Sequence, residues 1–146
     1  MDYISTHMNF LPIVKELARA YQGFEGYSSA HIRALGLLPV QFDVIATLAN
    51  QLPMTYKQLG EKTLISKSSL TGVVERMVQK SFIATLENPD DARSHLLKLT
   101  TKGQKIFEQV FPAHLKHLEL AFQNLSKKQM KEIEESLKTL KSIFIS

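Results

Sequence analysis

The sequence predicts a mainly α-helical protein with a small two-stranded β wing, arranged as a winged helix-turn-helix between N- and C-terminal helices. Two short helical patterns joined by a tight turn lie near the middle of the chain, and two short β-prone segments with a polar loop follow them. Apolar residues recur at spacings of three and four towards both ends. We expect one domain over residues 1–146, with the winged helix-turn-helix at about 38–100 and outer helices at about 8–35 and 101–145.

The composition is that of an ordinary globular chain. The 146 residues are 44% apolar and 22% charged, and cysteine is absent, which excludes disulfides, thiolate metal sites and cysteine nucleophiles. No basic segment with a long apolar stretch opens the chain, and no apolar run approaches the roughly 18 residues of a membrane span. We therefore expect a cytoplasmic protein. The net charge of +4 is a weak indication of a nucleic-acid partner.

Three segments match the capping-box motif, in which a Ser or Thr is followed three residues later by Gln, and each predicts the start of a helix. They are Thr55-x-x-Gln58, Thr101-x-x-Gln104 and Ser126-x-x-Gln129. Apolar stripes at helical spacing define the outer helices. They comprise Leu11, Val14, Leu17, Ala18 and Tyr21, then Phe107 to Phe122, then Met130 to Phe144. Gly23 and Gly26 leave the end of the first helix open.

The helix-turn-helix is predicted as a short helix from Tyr56 to about Lys62 and a second helix from the cap Ser66 to about Lys80. Its second helix has an apolar inner side made of Leu70, Val73, Val74 and Met77. The other side is small and polar, with Lys67, Ser68, Ser69, Thr71, Gly72, Glu75, Arg76 and Gln79. Such a face suits the DNA major groove, where small residues permit close approach and hydroxyls reach bases or phosphates. An ordinary amphipathic helix with a solvated outer face would show the same pattern.

The segment after the second helix favours the DNA-binding interpretation. Phe82 to Leu86 and Leu96 to Thr100 suit two strands, and Leu97 and Leu99 share one face. The loop between the strands is too long for a two-residue hairpin and carries Arg93 at its tip. An arginine there can use the negative potential of the minor groove, and one or both preceding aspartates can pair with it.

These motifs resemble those of MarR-type (multiple antibiotic resistance) transcriptional regulators, from about Leu37 to the C-terminus. The matching segments are Gln41-Phe42-Asp43-Val44-Ile45, Leu59-Gly60-Glu61-Lys62, Ser66-Lys67-Ser68-Ser69-Leu70-Thr71, Pro89-Asp90-Asp91-Ala92-Arg93 and Leu99-Thr100-Thr101-Lys102-Gly103. The resemblance implies that Asp91 pairs with Arg93 and stabilises the wing. The predicted DNA-binding residues are Ser66, Lys67, Ser68, Ser69, Thr71, Gly72, Arg76 and Arg93.

The resemblance also implies an obligate homodimer, in which the outer helices act as dimerisation helices. The apolar stripes support a dimer independently, since they carry more apolar surface than the small helix-turn-helix and its wing can cover. A monomeric helical bundle is the alternative. Two departures stand out. Ser81 and Thr85 replace the glycine and arginine of the Gly-Leu-Ile-x-Arg segment common in the family, and residues 1–36 match only in helical character and position.

Family resemblance further implies an effector, a small aromatic or phenolic anion bound between the dimer helices and the reading head. Aromatic and cationic groups near that place are Tyr21, Phe24, Tyr27, His31, Arg33 and Phe42, although packing explains most of them equally well. His114 and His117 could share a helix face and bind metal, but without a carboxylate or cysteine ligand surface polarity is the simpler interpretation. We predict no metal site and no cofactor.

Two functions from different classes remain open at this stage. The first is a dimeric, sequence-specific DNA-binding transcriptional regulator, a repressor released by a small molecule from a pseudo-palindromic operator. The second is a winged-helix module whose outer helix binds protein, which Glu75 and Thr85 favour, whereas Arg93 and the small polar face favour the regulator. An enzyme is not expected, since no phosphate-binding glycine loop, metalloprotease helix, paired-carboxylate signature or nucleophile elbow is present.

Overall fold

The computed structural model describes residues 7–145, which form six α-helices and three short β-strands. In chain order these are α1 (Leu11–Ala34), α2 (Pro39–Leu48), β1 (Met54–Thr55), α3 (Tyr56–Lys62), α4 (Lys67–Gln79), β2 (Ile83–Glu87), β3 (His95–Leu99), α5 (Thr101–Phe122) and α6 (Lys127–Ser142). The predicted fold class is confirmed. The two helices of the helix-turn-helix, α3 and α4, begin and end within about one residue of the predicted positions.

The sheet has three antiparallel strands in the order β1-β3-β2, and not the two strands that were predicted. Strands β2 and β3 form the expected wing, with Thr85 opposite Leu97. The additional strand β1 pairs Met54 with Leu97 from the other side, and both side chains are buried. A two-residue strand has too few positions to show alternation, so only its pairing with a distant segment defines it.

The inner face predicted for α4 is confirmed. Its four apolar side chains are at most 4% exposed, and they are Leu70, Val73, Val74 and Met77. They join a core shared with α2, α3 and the sheet. Because full burial of one such side chain stabilises a protein by roughly 1.5–3 kcal/mol, these residues fix the rotation of α4 about its axis. The polar face is therefore held towards solvent.

Helix α4 ends in a Schellman motif centred on Ser81. The Ser81 N–H donates to the carbonyl of Val78 at 2.9 Å, and the Phe82 N–H donates to the carbonyl of Met77 at 2.9 Å. Ser81 adopts a left-handed conformation with φ of 64°, which glycine adopts without steric cost. The motif gives a physical reason for the glycine that the family resemblance places at this position.

Two of the three predicted capping boxes are confirmed, those that begin at Thr55 and Ser126. The third, at Thr101, is wrong, because β3 extends to Leu99 and Thr101 is already the first residue of α5. Thr100 takes the capping role instead. Its hydroxyl oxygen accepts a hydrogen bond from the Gly103 N–H at 3.0 Å.

The junction between the wing and α5 is tightly packed against the end of α4. The Thr100 N–H donates to the carbonyl of Phe82 at 3.0 Å, and the Thr100 hydroxyl donates to the carbonyl of Ser81. A Cβ atom at Gly103 would clash with the main-chain carbonyl of Phe82. Lys102 donates from Nζ to the carbonyl of Lys80 at 3.1 Å. The Leu-Thr-Thr-Lys-Gly segment therefore fixes the wing to the end of the second helix.

The chain divides into two compact units, one ending at His114 and the other beginning at Leu115, so the division falls inside α5. The prediction of a single domain stays a prediction. In the first unit α1 runs unbroken through Gly23 and Gly26 and exposes a row of apolar side chains. They are Ile13, Val14, Leu17, Tyr21 and Phe24. In the second unit the exposed apolar side chains include Leu120, Phe122, Met130, Ile133 and Leu137.

Within residues 7–145 no single helix is long and apolar enough to cross a membrane. Helices α1 and α2 satisfy the length and composition requirement only when taken together, across a bend of 85°.

Candidate nucleic-acid interface

Seven of the eight predicted DNA-binding residues lie on α4 or at its cap, and all but the half-buried Gly72 are exposed. The Arg76 guanidinium lies over Gly72, since a Cβ built at Gly72 would be 3.4 Å from Arg76 Nη1. The missing side chain at Gly72 therefore gives room for the cation. The face combines small hydroxyl side chains with a positive charge, a combination suited to base edges and phosphates.

The N-terminus of α4 differs from prediction in its capping hydrogen bond. Ser66 occupies the cap position, but its hydroxyl accepts no hydrogen bond from the backbone. It donates to the Ser69 hydroxyl at 3.1 Å and lies 3.2 Å from the Ser68 hydroxyl. The Ser69 N–H donates to the carbonyl of Ser66 at 3.0 Å, so the N–H groups of Lys67 and Ser68 are the ones open to an anion. The exposed Lys67 side chain adds positive charge beside them.

The wing loop is held by two consecutive turns in which a side chain replaces a backbone acceptor. Asn88 Oδ1 accepts from the Asp90 N–H at 3.0 Å, and Asp91 Oδ1 accepts from the Arg93 N–H at 3.0 Å. Across the base of the loop, Asn88 Nδ2 donates to the Ser94 hydroxyl at 3.0 Å. The loop therefore has a defined conformation and presents Arg93 to solvent.

The predicted side-chain pair between Asp91 and Arg93 does not form. In the described part of the chain the ion pairs lie on α6, and none joins these two residues. The carboxylate holds the main chain of Arg93 and leaves its guanidinium exposed. The sequence predicts a turn that begins at Asn88, as asparagine in an Asn-Pro-Asp segment indicates, but it did not reveal that the Asn88 side chain and Ser94 hold the loop.

A cleft of about 490 Å³ lies between α3 and α4. Its lining consists of Tyr56, Lys57, Gly60, Glu61, Lys67, Leu70 and Thr71. Burial, followed by the negative charge of Glu75, raises the pKa of the Tyr56 hydroxyl above its ordinary value of 10.0. Tyr56 is therefore a hydrogen-bond donor at neutral pH. Tyr56 and Lys57 border the reading face, and sequence reasoning did not select them.

A second cavity, of about 380 Å³, is bordered by α1, α2 and the turn between α3 and α4. Its apolar walls come from Tyr21, Phe24, Ile32, Pro39, Val40, Phe42, Ala46, Leu64 and Ile65, and its polar walls from Glu25, Ser28, Ser29 and Asp43. Of the residues expected near an effector, Tyr21, Phe24 and Phe42 line this cavity. Tyr27, His31 and Arg33 do not.

Asp43 connects this cavity to the helix-turn-helix. Its Oδ2 atom accepts a hydrogen bond from the main-chain N–H of Leu64 at 3.2 Å, in the turn that precedes α4. Burial raises the pKa of the Asp43 carboxyl above its ordinary value of 3.8, and the bond from Leu64 offsets part of that rise. A cavity residue thus holds the backbone two residues before the cap of the reading helix.

His114 is only 3% exposed, so its interpretation as surface polarity is wrong. Its Nε2 atom lies 3.0 Å from the Ser28 hydroxyl, and its Nδ1 lies 3.0 Å from Nδ1 of His31. One ring of the pair must donate and the other accept. The Phe42 ring packs edge-on against His114, with 4.9 Å between centroids. Residues 7–145 contain no group of three or more His, Cys, Asp or Glu side chains arranged for a metal ion.

Comparison with known proteins agrees with this geometry. The MarR family model matches residues 37–95. The HTH-type transcriptional regulator MhqR of Bacillus subtilis is 30% identical over 122 residues, which cover 84% of either chain. A mutant of MarR from E. coli, solved with operator DNA, has a TM-score of 0.81 at 23% identity and covers 94% of this chain and 96% of its own. BpsR of Bordetella bronchiseptica, whose DNA binding is regulated by 6-hydroxynicotinic acid, has a TM-score of 0.79 at 25% identity, with 88% and 92% covered.

The chain therefore belongs to the MarR family. It is a DNA-binding transcriptional regulator with a winged helix-turn-helix, as predicted, and it is not an enzyme. The alternative of a winged-helix module that binds protein and does not read DNA is not supported.

Proposed function

We propose that the chain acts as a homodimeric repressor, which reads a pseudo-palindromic operator with α4 and the wing of each subunit and leaves it when an effector binds. The observation that carries this proposal is the outer face of α4. Core packing fixes the rotation of that helix, and its small hydroxyl residues and Arg76 face solvent. A helix held in this way can enter the major groove without rearrangement.

The proposed contacts divide by groove. Ser68, Ser69 and Thr71 reach base edges or phosphates in the major groove, where Arg76 adds a cationic contact. The open N-terminus of α4 and Lys67 take a backbone phosphate, with Ser66 and Gly72 permitting close approach. Arg93 enters or borders the minor groove, and Asp91 stabilises the wing through the Arg93 main chain. Tyr56 and Lys57 flank this surface.

The proposed dimer uses the outer helices. Apolar side chains on α1 and on α6 are exposed within a single chain, among them Leu17 at 40% and Ile133 at 44%. Large apolar areas of this kind mark association surfaces, and a two-fold dimer reads two-fold symmetric DNA. Half-sites should be centred about one helical turn, roughly 34–36 Å, apart. Sedimentation velocity at micromolar concentration should report a dimer, and a monomer would contradict this part of the proposal.

The proposed effector site is the cavity of about 380 Å³ between α1, α2 and the helix-turn-helix turn. Its aromatic walls suit a small ring, and Asp43 connects it to the backbone before α4 through Leu64. BpsR offers a precedent for regulation by a small aromatic molecule. The regulator would act in the cytoplasm, where it meets the chromosome.

A gel-shift titration tests DNA binding by this chain. We expect retardation of the DNA upstream of its own gene at concentrations that leave a shuffled duplex of equal length and composition unbound. An Arg76→Ala variant with unchanged helicity should lose most of that preference, whereas Lys128→Ala, on α6, should retain it. Equal binding of both duplexes by the parent protein would contradict sequence-specific reading.

A further inference from the structure

We infer that the cavity between α1, α2 and the helix-turn-helix turn takes an aromatic ligand that carries hydrogen-bond donors and no negative charge. The inference rests on the proposed effector function and specifies the chemical class of its ligand. It departs from the phenolic anion expected from family resemblance, and from 6-hydroxynicotinic acid, which carries a carboxyl group.

The charged side chains that line the cavity are both acidic. Glu25 and Asp43 line the cavity, and within residues 7–145 no Lys, Arg or His does. Arg33, the cation expected in this region, lies elsewhere and is exposed. Within one chain, a ligand anion would meet two carboxylates without a counter-charge, and the repulsion from the half-buried Asp43 is screened less than that from a surface group.

The N-terminus of α2 is the feature of this cavity that could attract an anion. Pro39 lines the cavity as the first residue of α2 and has no N–H to donate. The preceding N–H, of Leu38, is already bonded to Gln41 Oε1 at 3.0 Å. Two of the donors that usually make a helix start attractive to anions are thus missing or occupied.

The carboxylate of Asp43 has one oxygen atom free to accept a hydrogen bond from a ligand. Its Oδ2 accepts from the Leu64 N–H, whereas its Oδ1 has no hydrogen-bond partner in the described part of the chain. Asp43 Oδ1 is not among the buried side-chain atoms that lack a partner, so water can reach it. A ligand seated beside this carboxylate displaces that water and must offer a donor in its place, because carboxylates accept several hydrogen bonds. The Ser28 hydroxyl, by contrast, already lies 3.0 Å from His114 Nε2. A ligand hydroxyl, amide or ammonium group would complete the hydrogen bonding of Asp43.

The same carboxylate gives the ligand a route to the reading helix. A donor that draws Asp43 towards the cavity weakens the bond to Leu64, two residues before Ser66 at the start of α4. Such a ligand favours a conformation of the helix-turn-helix in which the hydrogen bond between Asp43 and Leu64 is lengthened. It lowers operator affinity only to the extent that it binds this conformation more tightly than the DNA-binding one. Asp43 is therefore a positioning residue between effector and DNA.

The test uses three rings of the same size that differ in charge, namely 4-hydroxybenzoate, 4-hydroxybenzamide and 4-hydroxybenzylamine. Binding to the full chain is followed by calorimetry at pH 7. A leucine in place of Ala46 fills the cavity. Binding in the cavity is therefore measured as the part of the total binding that Ala46→Leu removes. We expect the amide and the amine to bind at least about tenfold more tightly than the benzoate. Asp43→Asn should reduce that preference, and Glu87→Gln, an exposed carboxylate outside the cavity, should leave it unchanged.

Benzoate binding in the cavity as tight as that of the amide would overturn the charge inference and leave the effector site in place. If none of the three rings showed binding sensitive to Ala46→Leu, the effector site and the inference would both fail. Operator binding would be untouched by either result, because it is measured without these compounds.

Discussion

The carboxylate of Asp91 accepts a hydrogen bond from the main-chain N–H of Arg93 at 3.0 Å, while the Arg93 side chain is exposed. The acid therefore shapes the wing backbone and does not neutralise the cation. This arrangement explains how an aspartate can stand in a loop that we propose faces DNA. The loop conformation positions Arg93, and ordering one residue otherwise costs about 1–2 kcal/mol of conformational entropy.

Two substitutions at Asp91 distinguish backbone support from side-chain pairing. Asp91→Ala should weaken operator binding up to about tenfold, because the Arg93 backbone is no longer held. Asp91→Asn should bind as well as the parent or better, since an amide oxygen still accepts from the N–H and a negative charge is removed. Fluorescence anisotropy with labelled operator measures both. Equal loss in the two variants would favour the side-chain pair over the backbone hydrogen bond.

Ser81→Gly should raise the free energy of unfolding by about 0.5–1 kcal/mol. Ser81 is held at φ of 64°, where a Cβ atom costs roughly 1–2 kcal/mol, partly offset by the greater chain entropy of unfolded glycine. Urea denaturation at fixed protein concentration measures the change. Gln79→Gly, in the last turn of α4, serves as the matched control and should destabilise by about 0.5–1 kcal/mol. A loss of stability in Ser81→Gly would show that the left-handed conformation is not maintained.

Gly103→Ala should lower the free energy of unfolding by about 1–3 kcal/mol, as overpacking of a rigid contact does. Its Cβ would press on the Phe82 carbonyl, a main-chain atom that also accepts from the Thr100 N–H and cannot move alone. Thr101→Ala, at an exposed neighbour that does not cap α5, should change stability by no more than about 0.5 kcal/mol. A similar small effect at Gly103 would contradict the close contact at this junction.

Asp43→Asn should change how stability depends on pH. Burial raises the folded-state pKa of Asp43, so between its ordinary value of 3.8 and that raised value the folded protein holds more protons than the unfolded chain. The contribution of Asp43 to stability is therefore greatest below that window and falls as pH rises through the folded-state pKa. Asparagine does not ionise. The free energy of unfolding of the variant relative to the parent should increase across this window and then level off, and a constant difference would contradict the assignment.

Prediction from sequence succeeded where local spacing determines structure. The apolar positions of α4 fix its buried side, so Leu70 and Met77 point inward and the polar face can be read directly. It failed where segments distant in sequence meet. The pairing of Met54 with Leu97 and the contact between His31 and His114, which are 83 residues apart, leave no periodic signal. A capping hydrogen bond was predicted for Thr101, but Thr100, one residue earlier, caps α5. A bond between Asp91 and Arg93 was also predicted, but its donor is the main-chain N–H of Arg93 and not the guanidinium.

The salt dependence of operator binding tests most directly whether α4 and the wing contact DNA. Each cationic contact to the backbone releases counterions, so Arg93→Ala should lower the slope of log affinity against log salt by up to about one unit, with unchanged helicity. Lys128→Ala, on α6, should leave the slope as in the parent. If Arg93→Ala bound the operator with the affinity and slope of the parent, the wing would not contact DNA and the proposed mode of binding would be wrong.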